Sequence, residues 1–453
     1  MTYRRACWCF ALIASLLAFV RYVWQLSVPI PFDDPEMLEE WLGCKPVEGQ
    51  VARVALRQLI EIPAGGIRSS HINHLRRDKR YYRELARVQI LNGSLYVTCP
   101  FRNEAPNSAC FNSDTLALLL SLTRMPDVDF LYDGGENVCH GTLRRSKPVA
   151  IFTTETADGC DNVLTPPRAF VGVLPDNARW AARAAQGVWA WHQRINNVLF
   201  RGTTTGGRPF NKSGHLQSLR AKAVAFSLQH PELLDARFAT RSGTFGEQDE
   251  QELLRRGMTA ERGSFLTWYD ALKYRAALVL DGNTVADRLA FIMASTTAVI
   301  KVDSPRREAY YSLMQPYVHY VPVHADLSNL EAQLRWALAN ETRLHTIARN
   351  GAKFALAHLS RRATLCHWTT LLIRYATYMA GPVELDAHAV RVPLSTPSAL
   401  PTIIEPIVRS NALRPQLSHS PLQLSDLPNL LKLHMTPCVG LSWRHVCVDV
   451  SRR

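Results

Sequence analysis

Apolar and polar positions along this 453-residue chain switch between two periods, most clearly over residues 276–338. An apolar run over 276–281 ends in Asp281-Gly282-Asn283. A helix-period segment covers 285–295, a β-branched run covers 297–302, and a helix is predicted over 305–314. A third run, 318–323, precedes a helix at 329–338, for which Ser328 and Glu331 form a capping box. Strands separated by helices of this length predict a parallel sheet with crossovers. Ligands of such sheets bind beyond the carboxyl ends of the strands. Asp281, Gly282, Asn283 and Asp303 belong to that rim.

The alternation extends upstream through a strand at 198–200, a helix at 214–229, a strand at 234–239 and a helix at 265–274. Before it lies another set of elements. A basic helical segment spans 72–85, and runs at 86–91 and 95–98 flank Asn92-Gly93, a strong hairpin signal. A helix at 113–124, strands at 128–132 and 149–153, and a helix at 180–196 follow. The pattern predicts an α/β protein with two Rossmann-like domains, 61–195 and 196–340, and a ligand cleft between them. Helices at 341–358 and 361–379 would pack back across the first domain, so that 341–380 forms a crossing segment. Residues 381–453, rich in Pro, Ser and Leu without a clear period, read as an extended tail.

The N-terminus sets the expected compartment. Arg4 and Arg5 precede residues 6–28, whose only charge is Arg21. This reads as a signal-anchor with residues 1–5 cytosolic and the bulk lumenal, a cleaved signal being second choice. Residues 29–60, with prolines and an acidic patch, read as a stem. Three sequons, at Asn92, Asn211 and Asn340, fit a lumenal chain. Eight of the ten cysteines lie outside the apolar run, an even number that suits disulfides, and no CxxC spacing points to structural zinc. The net charge of +13 is dispersed arginine without zinc-finger, basic-zipper or RNA-recognition signatures, so no nucleic-acid partner is expected. Hydrophobic residues at 47% support a large core.

Two segments carry anion chemistry. Arg201-Gly202-Thr203-Thr204-Thr205-Gly206-Gly207-Arg208 joins a strand to a helix and offers backbone N–H groups, hydroxyls and arginines to an anion. It lacks the spacing of a P-loop and, read alone, fits a glycine-rich surface turn better. Arg288 falls in the first turn of its helix, where the partial positive charge of the helix end reinforces it. Its other reading is an ion pair with Asp287 or Asp303. Asp281-Gly282-Asn283 reads either as a ligand contact or as a strand-ending turn. Asp127 and Asp129 fall on one strand face, with Val128 and Phe130 on the other, and read as structural rather than metal-binding.

Several motifs occur in a fixed order: Lys273-Tyr274-Arg275, Asp281-Gly282, Arg288, Ser304-Pro305, Glu308, Tyr310-Tyr311, Tyr317-Val318-His319-Tyr320-Val321-Pro322-Val323 and Asp326-Leu327-Ser328-Asn329-Leu330. In this series the chain resembles glycosyltransferase family 90, the group of the protein O-glucosyltransferases and the fungal capsule-associated xylosyltransferases. Weaker similarity spans about residues 60–380. The resemblance implies a GT-B architecture and inverting transfer of glucose or xylose from a UDP-sugar to a protein or glycan hydroxyl. It implies a donor site of Arg201, Gly202, Thr203, Thr204, Lys273, Asp281, Gly282, Asn283 and Arg288, with Phe170 and Gly172 near the donor. No metal is expected, since arginines would take the place of a cation. It also implies disulfides Cys99–Cys110 and Cys44–Cys366. The family's catalytic base falls on Glu136 in ungapped register, while Asp133 replaces an asparagine, so both acids are candidates. The changed loop Asp133-Gly134-Gly135-Glu136 keeps open a second reading, a non-catalytic carbohydrate- or nucleotide-sugar-binding protein.

Overall fold

The computed structural model describes residues 65–76, 85–99, 114–133, 151–158, 162–166, 190–238, 247–259, 272–359 and 361–394, together with Cys44 and Cys160. Two large sheets organise them. The first begins with helix α1 (Ser69–Arg76), the hairpin β1 (Leu85–Leu91) and β2 (Ser94–Thr98), and helix α2 (Asp114–Leu122). Strands β3 (Val128–Asp133), β4 (Ile151–Thr153), β5 (Glu155–Ala157) and β6 (Val163–Leu164) follow, of which β5 belongs instead to a separate two-stranded sheet. The expected Asn92-Gly93 hairpin forms, with both residues at positive φ. β3, β4 and β6 run parallel, whereas β1 is antiparallel to β3.

The second sheet is wholly parallel, in the order β12-β10-β9-β7-β8. Its strands are β7 (Ile195–Gly202), β8 (Leu234–Phe238), β9 (Tyr274–Val279), β10 (Ala298–Val302) and β12 (Val321–Val323). Helices α3 (Leu219–Gln229), α4 (Glu247–Arg255), α5 (Arg288–Ala294), α6 (Leu330–Ala339) and α7 (Glu341–His358) accompany them. Sheets covered on both faces need near-continuous apolar strands, which is why Val198-Leu199-Phe200 and Ala276-Ala277-Leu278-Val279 carry so little polarity. One core on this sheet includes Val198, Leu278 and Ile300, and another includes Val279, Val299 and the α5 residues Leu289, Ile292 and Met293.

Helix α8 (Arg361–Ala376) returns to the first sheet and buries Leu365, Trp368, Leu371, Leu372 and Tyr375 in its core, as expected of the second crossing helix, whereas α7, expected to cross back as well, is corrected: it buries Leu344, Ile347 and Ala348 against the second sheet. Its Tyr375 hydroxyl donates to the Asp129 carbonyl at 2.9 Å. The Asp129 side chain holds the buried Arg87 guanidinium, Nε to Oδ1 being 2.9 Å, so its role is structural. Cys366 is bonded to Cys44. Cys99 and Cys160 are also disulfide-bonded, while Cys110 lies outside the described residues.

Four local expectations are corrected. The 305–314 helix is a short strand, β11 (Arg306–Glu308), followed by a 3-10 turn at Tyr311–Leu313. Pairing with β5 across the molecule supplies hydrogen bonds that a local helix would forgo. The 318–323 strand is confined to β12, because Tyr317 adopts φ +58° and closes a turn through its N–H to Tyr320 O at 2.7 Å. The Ser328–Glu331 capping box does not form. Helix α6 starts at Leu330 without a side-chain cap, and Glu331 accepts from Arg335 instead. The tail does not begin at 381. Gln89 donates to Glu384 O at 2.8 Å, Asp386 pairs with Arg87 at 3.1 Å, and β13 (Val390–Val392) extends the first sheet beside β2.

Candidate functional site

The carboxyl ends of β7 and β9 meet in a small polar region. Beyond Gly202, the loop Thr203–Gly207 lies against Asp281-Gly282-Asn283. Gly206, at φ +91°, donates its N–H to Asn283 Oδ1 at 3.0 Å. A Cβ on Gly282 would lie 2.5 Å from Thr205 Oγ1 and 2.9 Å from Arg220 Nη2, so only glycine fits. Thr204 is buried beside them.

Arg220, in the first turn of α3, clamps the two loops. Its guanidinium donates to Thr203 O at 2.9 Å, Thr205 Oγ1 at 2.7 Å, Leu280 O at 3.0 Å and Asp281 O at 3.1 Å. Ser218 caps α3 by accepting from Ala221 N–H at 3.2 Å, which fixes the turn that carries Arg220. Arg288 begins α5, donates to Arg201 O and lies over the Phe200 ring at 5.4 Å. A Cβ on Gly202 would sit 3.2 Å from Arg288 Nη2, so this glycine gives the arginine its close approach. Asp281 Oδ1 accepts from Ala286 N–H at 3.0 Å and folds the turn that leads into α5.

Positive charge is concentrated at these strand ends. Burial lowers the Arg288 pKa to about 10, and burial together with the charge of Arg288 lowers Arg220 to about 10. Both stay protonated at neutral pH. Two desolvated guanidiniums facing the same strand ends, beside a helix N-terminus, gain most from an anion. This lies at the carboxyl edge of a parallel sheet, where the sequence pattern places the ligand.

The family model for glycosyl transferase family 90 matches residues 64–405. The chain belongs to glycosyl transferase family 90. Human protein O-glucosyltransferase 3 is 24% identical over 377 residues, covering 78% of this chain and 66% of that protein. Protein O-glucosyltransferase 2 of Danio rerio is 28% identical over 268 residues, covering 57% of this chain and 50% of that protein. Protein O-glucosyltransferase 1 of Bos taurus is 26% identical over 192 residues, covering 42% and 44%. The chain therefore spans about half to two thirds of the length of the first of these family 90 relatives.

Not every residue expected at the donor site gathers at these strand ends. Gly202, Thr203, Thr204, Asp281, Gly282, Asn283 and Arg288 do. Arg201 does so only through its carbonyl. Its side chain turns to β8, where the guanidinium donates to Asp235 Oδ1 at 2.8 Å and Oδ2 at 3.0 Å. Tyr274 OH completes that cluster at 2.6 Å from Asp235 Oδ2. Alternation explains the correction: Phe200 and Arg201 leave opposite faces of β7. Lys273 is corrected outright. It immediately precedes β9, so it stands at the amino edge, roughly 26 Å along an extended chain from Asp281. Phe170, Gly172 and Glu136 lie outside the described residues. Asp133 ends β3 and is 1% exposed.

Arg220 is the residue that sequence reading missed. Its signal was present: a serine cap followed by an arginine in the first turn after the strand-7 loop, repeating the placement of Arg288 after strand 9. Glu155 was missed as well. From β5 it reaches the turn before α5, where its Oε2 accepts from Val285 N–H at 2.8 Å. Among the described residues no group of three or more His, Cys, Asp or Glu could hold a metal ion.

Proposed function

We propose that this chain is an inverting glycosyltransferase that moves glucose or xylose from a UDP-sugar to an acceptor hydroxyl in the secretory pathway. The observation that carries the proposal is the pair of buried arginines, Arg220 and Arg288, at the strand ends beside the start of α5. In this reading the diphosphate lies on Arg288 and on the Thr203–Thr205 loop that Arg220 holds in shape. Positive charge there stabilises the departing UDP, the requirement of an inverting transfer without a bound cation. The two sheets then act as the two halves of a GT-B arrangement, the first offering the acceptor side. Glu136 is the proposed base, since Asp133 is buried at the end of β3. A protein or glycan supplies the acceptor hydroxyl.

The proposed compartment is an oxidising lumen, supported by the Cys44–Cys366 bond and by the bonded state of Cys99 and Cys160. Residues 6–28 are proposed to anchor the chain. They lie outside the described residues, among which no helix is long and apolar enough to cross a membrane.

Turnover of a panel of UDP-sugars by the purified chain tests the proposal. Release of UDP from UDP-glucose or UDP-xylose, with inversion at the anomeric carbon, is expected. Tight UDP binding without any release or transfer would establish the non-catalytic reading instead. Activity should persist in EDTA, because the arginines are proposed to do a cation's work. Loss on chelation with recovery on added manganese would overturn that part.

A further inference from the structure

Glu155 and Glu308 are Cα partners in the antiparallel β5–β11 pair. Such partners project from one face with Cα atoms about 5 Å apart, and like charges there repel. Each is only 3% exposed, so neither charge is relieved by water. The pair is wired outward at both ends. Glu308 Oε2 accepts from the buried Tyr310 hydroxyl at 2.8 Å. Glu155 Oε2 accepts from Val285 N–H, three residues before Arg288.

Two cations, Arg306 towards Glu155 and Lys301 towards Glu308, offset part of the charge of the pair. Arg306, on β11, approaches Glu155 Oε1 only to 3.8 Å, and neither its Nη1 nor that oxygen has a hydrogen-bond partner. Lys301 of β10 stands 4.7 Å over the Tyr311 ring. Asp281 and Asp287, from the turn before α5, add negative charge towards Glu155. We propose that Glu155 and Glu308 form a proton-holding carboxyl pair that positions the Val285–Arg288 turn for the diphosphate. The positioning half rests on the donor-site reading above.

The protonation balance agrees with this geometry. Burial first, then the neighbouring acids, raises Glu155 to about 7 against the opposing Val285 and Arg306 contacts. Burial first, then Asp287 and Glu155, raises Glu308 to about 8 against the Tyr310 and Tyr311 hydroxyls. Both values exceed the unfolded value of about 4.3, so the folded chain holds more protons than the unfolded chain between the two. Stability from the pair therefore falls as pH rises from about 5 to about 8. The Val285 N–H by itself favours an ionised Glu155, so the anchor weakens only when Glu308 ionises as well and the repulsion between the two carboxylates opposes that contact.

Thermal unfolding of the full chain between pH 5.5 and 8.5 tests the pair. The wild type should lose stability with rising pH relative to Glu155→Gln/Glu308→Gln, which keeps size but cannot ionise. Parallel pH profiles would overturn the pair. Calorimetry with UDP tests the positioning. At pH 6, Glu155→Ala should bind UDP about threefold to tenfold more weakly, the worth of one hydrogen bond. Glu155→Gln still offers Val285 an acceptor, so it should match wild type at pH 6 and exceed it at pH 8.5. Equal affinity of wild type and Glu155→Ala at both pH values would remove the positioning role and leave the donor reading intact. A wild type that binds no UDP would sink both, with the thermal profiles still deciding the pair.

Discussion

At the scale of single residues, the proposed donor site turns on which arginines face the diphosphate. Arg288 begins α5 and Arg220 lies in the first turn of α3, whereas the Arg201 guanidinium is held by Asp235. Arg288→Ala should weaken UDP binding by about 1.5–3 kcal/mol, the range for a charge-assisted hydrogen bond. Arg220→Ala should weaken it similarly, through collapse of the loops it clamps. Arg201→Ala should lower stability more than affinity. Calorimetric titration of UDP against the three variants checks this, and an Arg201→Ala loss larger than that of Arg288→Ala would reverse the assignment. The same reasoning separates the two acids. Glu136→Gln should reduce turnover by roughly 10²–10⁴ with UDP binding intact. Asp133→Asn, at a buried strand end, should leave the chemistry mild in its loss. Full turnover in Glu136→Gln would place the base elsewhere.

At the scale of elements, legibility followed the range of the interactions. The alternation of β7 to β10 with helices was readable because burial on both faces demands apolar strands, a property written into each segment. The rim of Asp281-Gly282-Asn283 followed from strand direction alone, as did the error at Lys273 once β9 was seen to start at Tyr274. Arg306–Glu308 was not readable, because its pairing partner lies about 150 residues away on β5. Pro382–Val392 reads as tail for the same reason: its contacts, to Ser69, Arg87 and Gln89, are all distant. Whether Arg201 faced the rim depended on the strand's phase, which the Gly-Thr motif does not set. The close approach of the two loops supplies a test at this scale. Gly282→Ala puts a methyl 2.5 Å from Thr205 Oγ1 and against Arg220, so both side chains must shift and the bonds that clamp the β7 and β9 loops are disturbed. UDP affinity should drop at least tenfold, while the melting temperature falls by only a few degrees, as expected for about 1 kcal/mol. Unchanged affinity in Gly282→Ala would show that the loop contact does not shape the site.

At the scale of the whole molecule, the first sheet is completed by chain from both ends. Its core takes in Ile67 and Ile72 from before β1, and Leu365, Trp368 and Tyr375 from α8. The Cys44–Cys366 bond fastens this arrangement over a sequence separation of 322 residues, and Cys366 itself is 0% exposed in that core. A crosslink over so long a loop removes much of the unfolded chain's freedom, and loss of such native bonds costs about 2–5 kcal/mol. Cys366→Ala adds a small cavity to that loss, whereas Cys44→Ala removes the same bond from a partly exposed position. Both variants should therefore melt lower than wild type, with Cys366→Ala the lower of the two. The second sheet has its own cores, so UDP affinity measured well below the melting point should change little in either variant. Differential scanning calorimetry with parallel UDP titration reads both quantities. Two variants that melt like wild type would show that α8 is held by packing alone. A Cys44→Ala variant that loses UDP affinity while still folded would instead tie the anion site to the order of the first sheet.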